Sequence, residues 1–271
     1  MKSKSSWDSK IEKAEKFLQG THEHGRKVYQ RYKDERKDRL GNLKRVNLFY
    51  SNVNTVKESL FNSMPKLEVN RIQKGAYDDE AARVAAVITQ RGLTYEINCA
   101  DSFEESINCA ILERLVPGIG QVWLSFKADK DEEGNPIEGT ESIKIDSVYW
   151  EDFLYEPCKR WSKCGWVGRR NHISKKEFIA AYGEAAFRKI GEAWGKDSEL
   201  VPKDINQDKI CVYEIWDKRS KKVYHISKGL DKPLKEMDDP YQLRGFFPCP
   251  RPLIANVDTT AFLPVTDYHL A

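Results

Sequence analysis

Acidic side chains in two places of the chain could hold divalent metal ions. Four carboxylates fall within residues 146–156: Asp146, Glu151, Asp152 and Glu156. Two-metal nucleases hold Mg²⁺ with carboxylates gathered in this way, usually from separate strands and with a lysine or histidine nearby. That neighbour is missing here, and the second pair, Asp238 and Asp239, precedes Pro240, where an aspartate is typical of a turn. A metal-dependent nuclease stays open as an alternative, with no metal ligand assigned.

Other catalytic patterns are missing from the sequence. It contains no phosphate-binding GxxxxGK[ST] loop, no GxGxxG dinucleotide motif, no GxSxG and no HExxH. The six cysteines include no CxxC pair, and the five histidines are scattered, so neither residue type indicates zinc or a catalytic triad. We therefore predict a protein that is not an enzyme, with no catalytic residue, no cofactor and reduced cysteines.

A basic and aromatic segment between Arg160 and Arg170 could contact nucleic acid or protein. Trp161 and Trp166 could stack on bases while Arg160, Arg169 and Arg170 contact phosphates. Tryptophan and arginine also dominate protein interfaces, and no known single-strand-binding module surrounds them. The segment therefore favours an interface or core, and the three arginines are predicted to be no more than weak DNA contacts.

The basic character of the chain is confined to its first 45 residues. They carry 14 Lys and Arg against 7 Asp and Glu, whereas the whole chain has 45 against 42. The two signs alternate, as in Lys33–Arg39, which is typical of a solvated helix and releases few counterions on DNA. A nucleic-acid-binding protein using this segment remains a second alternative. No apolar run approaches the roughly 20 residues of a membrane span, and the N-terminus does not resemble a signal peptide.

Apolar spacing predicts helices in the first half of the chain. One helix covers Trp7–Leu18, is interrupted at Gly20, and is followed by a second from about Arg26 to Leu40. The next helix is predicted to pack one stripe against the core: Phe49, Val53, Val56, Leu60 and Phe61. A further helix is predicted from Asp78 to about Ile97, with these residues facing inward: Ala81, Val84, Ala85 and Ile88. A capping box, Ser102 with Glu105, begins another helix that ends at Pro117.

The second half alternates between strands and helices. Residues 122–126 and 143–148 alternate as a hairpin around a polar loop, and Trp166–Arg170 is compatible with a strand. A capping box at Ser174 begins a helix to about Ala193, followed by a polar linker over 195–208 and a hairpin of Ile210–Asp217 with Lys222–Ile226. The prediction is an α+β fold in which amphipathic helices pack with short antiparallel hairpins.

The C-terminal segment 233–271 is rich in proline. Six of the eleven prolines lie between Pro233 and Pro264, so we expect an extended strap in place of a helix or central strand. Tyr241, Phe246 and Phe247 are too apolar for water, which predicts that the strap is covered by a partner subunit or a continuation of the chain. Thr266 or Asp267 is expected to cap a further helix.

The order and spacing of four sequence blocks carry a resemblance. They are 47–53 with 65–69, 148–154, 161–170, and 213–218 with 246–253. In these blocks the chain resembles the portal, or head-to-tail connector, proteins of short-tailed bacteriophages. This resemblance divides the chain into three parts. They are charged N-terminal helices over 1–45, a portal-wing-like α+β domain over 46–232, and a strap over 233–271 that leads to the start of a stem helix. The stem, clip and crown of the family have no counterpart in this sequence.

The resemblance implies a structural role in a virion assembled in the host cytoplasm. Portal proteins form a ring of about twelve copies at one capsid vertex, where a head-to-tail interface closes on itself. The implied partners are capsid and scaffold proteins, the terminase, tail adaptor proteins, and double-stranded DNA that passes without sequence recognition, with no membrane contact. We expect these residues at or near subunit contacts: Trp150, Tyr155, Trp161, Trp166, Tyr241, Phe246 and Phe247.

Overall fold

The computed structural model describes residues 6–34, 46–70, 80–100, 102–128, 137–190, 209–228, 230 and 232–270. The predicted linker at 195–208 lies outside these residues, as do the end of the second predicted helix and most of the loop between the first two strands. The described helices are α1 (Ser6–Tyr32), α2 (Leu48–Leu60), α3 (Glu80–Cys99), α4 (Phe103–Leu115), α5 (Lys175–Tyr182), α6 (Glu184–Ile190) and α7 (Asp267–Leu270), with a 3-10 turn at Trp161–Lys163.

Within the described residues, ten short strands form antiparallel sheets. The strands are β1 (Ile119–Lys127), β2 (Ser142–Val148), β3 (Phe153–Tyr155), β4 (Trp166–Ser174), β5 (Lys209–Asp217), β6 (Lys222–Ile226), β7 (Lys235–Asp238), β8 (Leu253–Ile254), β9 (Asn256–Val257) and β10 (Pro264–Val265). Their order is β3-β4-β5-β6-β7 in the larger sheet and β2-β1-β8 in the smaller one, and β9 pairs with β10. This arrangement confirms the predicted α+β class and both predicted hairpins.

Helix α1 is continuous, so the predicted interruption at Gly20 is wrong. A glycine inside a helix costs about 1 kcal/mol relative to alanine. The buried stripe of α1, which includes Ile11, Ala14, Leu18 and Val28, offsets that cost by continuing on both sides of the glycine. Tertiary packing therefore overrides a local breaker.

The two predicted capping boxes differ in the structure. At the start of α5, the Ser174 hydroxyl accepts from the Glu177 amide and the Glu177 carboxylate accepts from the Ser174 amide, which confirms that box. Ser102 precedes α4 as predicted, but its hydroxyl donates to the Ile145 carbonyl of β2 at 2.6 Å. The serine therefore ties the helix to the sheet and does not cap it. The helix predicted to reach Ala193 is divided into α5 and α6 at Gly183, whose φ is +85°.

Helices α2 and α3 are less buried than predicted. On α2, Val53 is buried and Phe49 is partly covered, but Val56 and Leu60 are exposed. On α3 no residue is buried, and its predicted inward stripe faces solvent. The described chain therefore supplies no cover for this stripe.

The strap packs on the core of its own chain. Phe246 is fully buried, 5.6 Å from the Trp216 ring of β5, and β7 extends the larger sheet as its edge strand. The Leu124 amide donates to the Pro248 carbonyl at 2.8 Å, which joins the strap to the smaller sheet. Phe246 has φ +69°, a left-handed conformation that is strained for a bulky residue. Burial of the ring therefore outweighs a backbone penalty.

Candidate subunit interface

Four of the aromatic residues predicted near subunit contacts lie inside the chain itself. Trp150, Tyr155, Trp166 and Phe246 are each at most 3% exposed within the main core. Tyr155 also donates its hydroxyl proton to the Phe262 carbonyl at 2.7 Å, which satisfies its polar end. In place of direct contact with another chain, the strap and α1 cover these rings. A neighbouring subunit could reach only the surface around them.

The other three predicted residues form a partly exposed rim along the strap. The Trp161 ring lies 5.9 Å from Phe247, and Tyr241 packs 5.2 Å from Trp216. Tyr241 also accepts a hydrogen bond from the Phe126 amide. An apolar cleft of about 370 Å³ lies beside Tyr241 and is lined by Leu124, Ser125, Phe126, Ile143, Pro240 and Leu243. This rim retains surface that a neighbour could contact.

The three predicted DNA-contact arginines do not form one patch. Arg169 pairs with Glu214 at 2.9 Å and Arg170 lies 3.3 Å from Asp152, whereas Arg160 is exposed in the turn before the 3-10 helix. Arg169 and Arg170 are consecutive on β4, so their side chains point to opposite faces. Strand alternation in the sequence could have separated them in advance. The side chains of Arg169 and Arg170 therefore form ion pairs within the chain.

Each of the four carboxylates within residues 146–156 that suggested a metal site has a partner of opposite charge. Glu151 accepts two hydrogen bonds from Arg26, at 2.7 and 2.9 Å, and Glu156 pairs with Arg219 at 2.8 Å. Asp146 is 2.5 Å from Lys144 and Asp152 is 3.3 Å from His172, so the expectation that no lysine or histidine lies nearby is wrong. Across the described ranges, no group of three or more His, Cys, Asp or Glu side chains is placed to hold a metal ion. The Arg26–Glu151 pair joins α1 to the segment that precedes β3.

Two buried titratable groups lie at this junction. Burial, followed by the charges of Arg170 and Arg26, lowers the pKa of His22 to about 4. Burial raises the pKa of Glu113 to about 8, although a Trp150 backbone hydrogen bond opposes the shift. Glu113 Oε2 is buried with no hydrogen-bond partner among the described residues. Both groups are therefore held in their neutral forms near neutral pH.

Glu113→Gln is expected to stabilise the chain at pH 8. A carboxyl with a raised folded pKa binds its proton more tightly in the folded state, so the wild type loses stability as pH rises from 4.5 through 8. Glutamine is neutral at every pH, so we expect Glu113→Gln to raise the free energy of unfolding by about 1–3 kcal/mol at pH 8. Urea unfolding at pH 5 and pH 8 measures it. An equal increase in stability at both pH values would contradict the raised pKa of Glu113. The matched control is Glu105→Gln, on the exposed side of α4.

Helix α3 carries an exposed apolar stripe. At about 100° per residue, one side of the helix collects the residues Ala81, Val84, Ala85, Ile88 and Tyr95. Ile88 is 64% exposed and Val84 is 49% exposed. The Val69 amide donates to Gln90 Oε1 at 3.2 Å, and Gln90 points away from the stripe. The preceding segment of the chain therefore contacts the opposite side of α3.

The apolar character of α3 extends beyond the stripe. Val87 and Leu93 lie on other sides and are also exposed. A helix that is apolar on several sides is usually buried, and this signal was available in the sequence but was attributed to the chain's own core. Exposed apolar residues on α2, Leu48, Val56 and Leu60, add a second such surface. Large exposed apolar patches mark protein contacts.

The first turn of α7 is held by three other helices. Arg114 of α4 lies 3.5 Å from the Asp267 carboxylate, and the ring of Phe49 on α2 lies 5.0 Å from Tyr268. His24 of α1 shares a hydrogen bond of 3.2 Å with the Thr266 hydroxyl. The predicted helix start at Thr266 or Asp267 is thus confirmed by α7. These three helices, together with Asn256 of β9, which donates to the Asp267 carboxylate, set its direction.

A family model for the phage P22-like portal protein matches residues 5–253. The chain belongs to this family. The match covers α1, both main sheets and most of the strap, so the portal resemblance extends beyond the four sequence blocks. A comparison with curated proteins gives no match. Membership in the portal family implies a structural component of a phage virion and a homo-oligomeric ring at the capsid vertex. Within the described part of the chain, no helix is long and apolar enough to cross a membrane.

Proposed function

We propose that this chain is a non-enzymatic subunit of a portal ring of about twelve copies, through which double-stranded DNA enters and leaves the phage head. The portal family match carries the proposal. The ring would join the head to the tail, with capsid and scaffold proteins, the terminase and tail adaptor proteins as partners. DNA would pass without sequence recognition.

The exposed helices support assembly of this kind. A head-to-tail ring needs two different surfaces on each subunit, because the contact is heterologous and closes by rotation. The exposed apolar residues of α2 and the stripe of α3 supply two such surfaces on separate helices. We propose that the α3 stripe of one copy packs on a neighbouring copy, with the rim of Trp161, Tyr241 and Phe247 near the contact.

The alternatives receive no support from a specific observation. Two charged residues of α1 pair within the chain: Glu15 with Lys228 at 3.2 Å, and Arg26 with Glu151. The carboxylates near Asp152 are likewise paired with cations. Neither nucleic-acid binding by α1 nor metal-dependent cleavage is therefore proposed.

Electron microscopy of the intact gene product tests the proposal. We expect closed rings with a central hole, and sedimentation velocity should show one large species with little free subunit. A strictly monomeric particle across micromolar concentrations would overturn the ring. Mg²⁺-dependent cleavage of DNA that is lost on Asp152→Ala would favour the nuclease instead.

A further inference from the structure

Two cysteines meet beneath the aromatic rim. Cys158 lies in the turn after β3 and Cys164 lies just before β4. The antiparallel register that pairs Tyr155 with Val167 continues in a hydrogen bond of 3.0 Å from the Glu156 amide to the Trp166 carbonyl, and two residues further it places Cys158 opposite Cys164 in the same core cluster. Cys164 is buried, and its sulfur is 3.1 Å from the Trp166 carbonyl. Cys158 is partly exposed. One thiol of the pair is therefore accessible and the other is held behind it.

The backbone between the two cysteines is already closed into a tight turn. The Lys163 amide donates to the Arg160 carbonyl at 2.9 Å, and the Cys164 amide donates to the Trp161 carbonyl at 3.0 Å. The Cys158 carbonyl accepts from the Phe262 amide of the strap at 2.8 Å. A covalent link between the sulfurs would therefore close a loop whose ends the fold has brought together, beside the strap.

We propose that Cys158 and Cys164 are a redox modification site that forms an intrachain disulfide when the protein leaves a reducing compartment. A small-molecule disulfide such as oxidised glutathione is the oxidant. The Cys158 thiolate attacks one glutathione sulfur, forming a mixed disulfide and releasing one glutathione thiolate. Cys164 then loses its proton and attacks the Cys158 sulfur, which releases the second glutathione. Two cysteine thiols are oxidised and one glutathione disulfide is reduced.

The electrostatics of the pair agree with this order of events. The neighbouring Cys164 side chain lowers the pKa of Cys158, although burial opposes this shift, so the accessible sulfur is the better nucleophile. The neighbouring Cys158 side chain, together with burial, raises the pKa of Cys164. Once Cys158 is in a mixed disulfide it carries no negative charge, and that obstacle to ionising Cys164 is removed.

The disulfide would fix the turn that carries Trp161. The Trp161 ring packs 5.7 Å from Phe262 and 6.3 Å from Tyr155. Restricting this turn limits the unfolded chain more than the folded one and so stabilises the core beside the strap. The biological setting rests on the proposed function, because a virion passes from a reducing cytoplasm to an oxidising exterior. The chemistry itself does not depend on ring assembly.

Thiol counting and peptide mapping of the chain test the site. After incubation with excess oxidised glutathione and alkylation, we expect two of the six thiols to be lost. Lys159, Arg160 and Lys163 lie between the cysteines, so trypsin should yield two peptides joined only by the new disulfide. The melting temperature should rise by about 5 °C and return on reduction with dithiothreitol.

Two variants separate the pair from the other cysteines. Cys158→Ser should leave all five remaining thiols free and abolish the thermal shift, whereas Cys109→Ser, at a partly exposed cysteine outside the pair, should still lose two thiols. Six free thiols in the wild type, a lasting glutathione adduct on Cys158, or a link to a different cysteine would each overturn the proposal. None of these outcomes bears on whether the protein forms rings, so the two proposals can fail separately.

Discussion

Replacing Val84 and Ile88 with aspartate is expected to abolish ring assembly and leave the fold of the single chain intact. Both side chains are largely exposed on the α3 stripe, so aspartate costs the monomer little. In an apolar contact between copies, each unpaired carboxylate must lose its water, which costs several kcal/mol. We expect self-association to weaken by at least about 100-fold, which corresponds to about 2.7 kcal/mol. Sedimentation velocity and electron microscopy of the intact gene product provide the measurement.

A matched control uses the same chemistry on another side of the helix. Thr94 and Asn98 are exposed, have the same four-residue spacing, and lie away from the α3 stripe. Thr94→Asp with Asn98→Asp adds the same two charges, yet rings should persist. Unchanged far-ultraviolet circular dichroism in both double variants would exclude unfolding of α3. If the double variant of Val84 and Ile88 still formed normal rings, the proposal that α3 lies in the subunit interface would be wrong.

Phe246→Ala is expected to destabilise the chain by about 3–5 kcal/mol, because it removes a fully buried ring from the core. The ring contacts Trp216 and lies 6.2 Å from Phe247, and it is what keeps a strained backbone in place. Alanine at the same φ retains the strain and loses the packing. Urea unfolding followed by tryptophan fluorescence measures the loss.

Leu243→Ala is the control for this effect, since Leu243 lies on the same strap but is 36% exposed. We expect it to cost less than about 1 kcal/mol. A similar loss for the two variants would mean that the strap contributes through its backbone hydrogen bonds and not through the Phe246 ring.

The sequence predicted several features that local patterns determine, although the capping box at Ser102 was wrong because that hydroxyl bonds to β2. The capping box at Ser174 and the two hairpins depend on residues close together in the chain, and they were found where expected. The continuity of α1 across Gly20 was missed because it depends on burial against the sheet, which is far away in sequence.

For the same reason, the packing of the strap and the exposure of α3 could not be predicted from the sequence. Phe246 was clearly an anchor, but its partner Trp216 is thirty residues away, and no local pattern connects them. The stripe on α3 was predicted to face inward but is exposed, because helical periodicity marks an apolar side of a helix and does not show what covers it. The structure separates Trp150 and Trp166, which lie in the core, from Val84 and Ile88, which lie at the surface.

The joint at the start of α7 consists of several small contacts and no large one. The Arg114–Asp267 pair is partly exposed, with side chains 25% and 46% accessible, so it contributes at most about 1 kcal/mol. The Asn256–Asp267 hydrogen bond, at 2.7 Å, is also exposed. The direction of α7 therefore depends on several weak contacts with three helices and with β9, and no single bond fixes it.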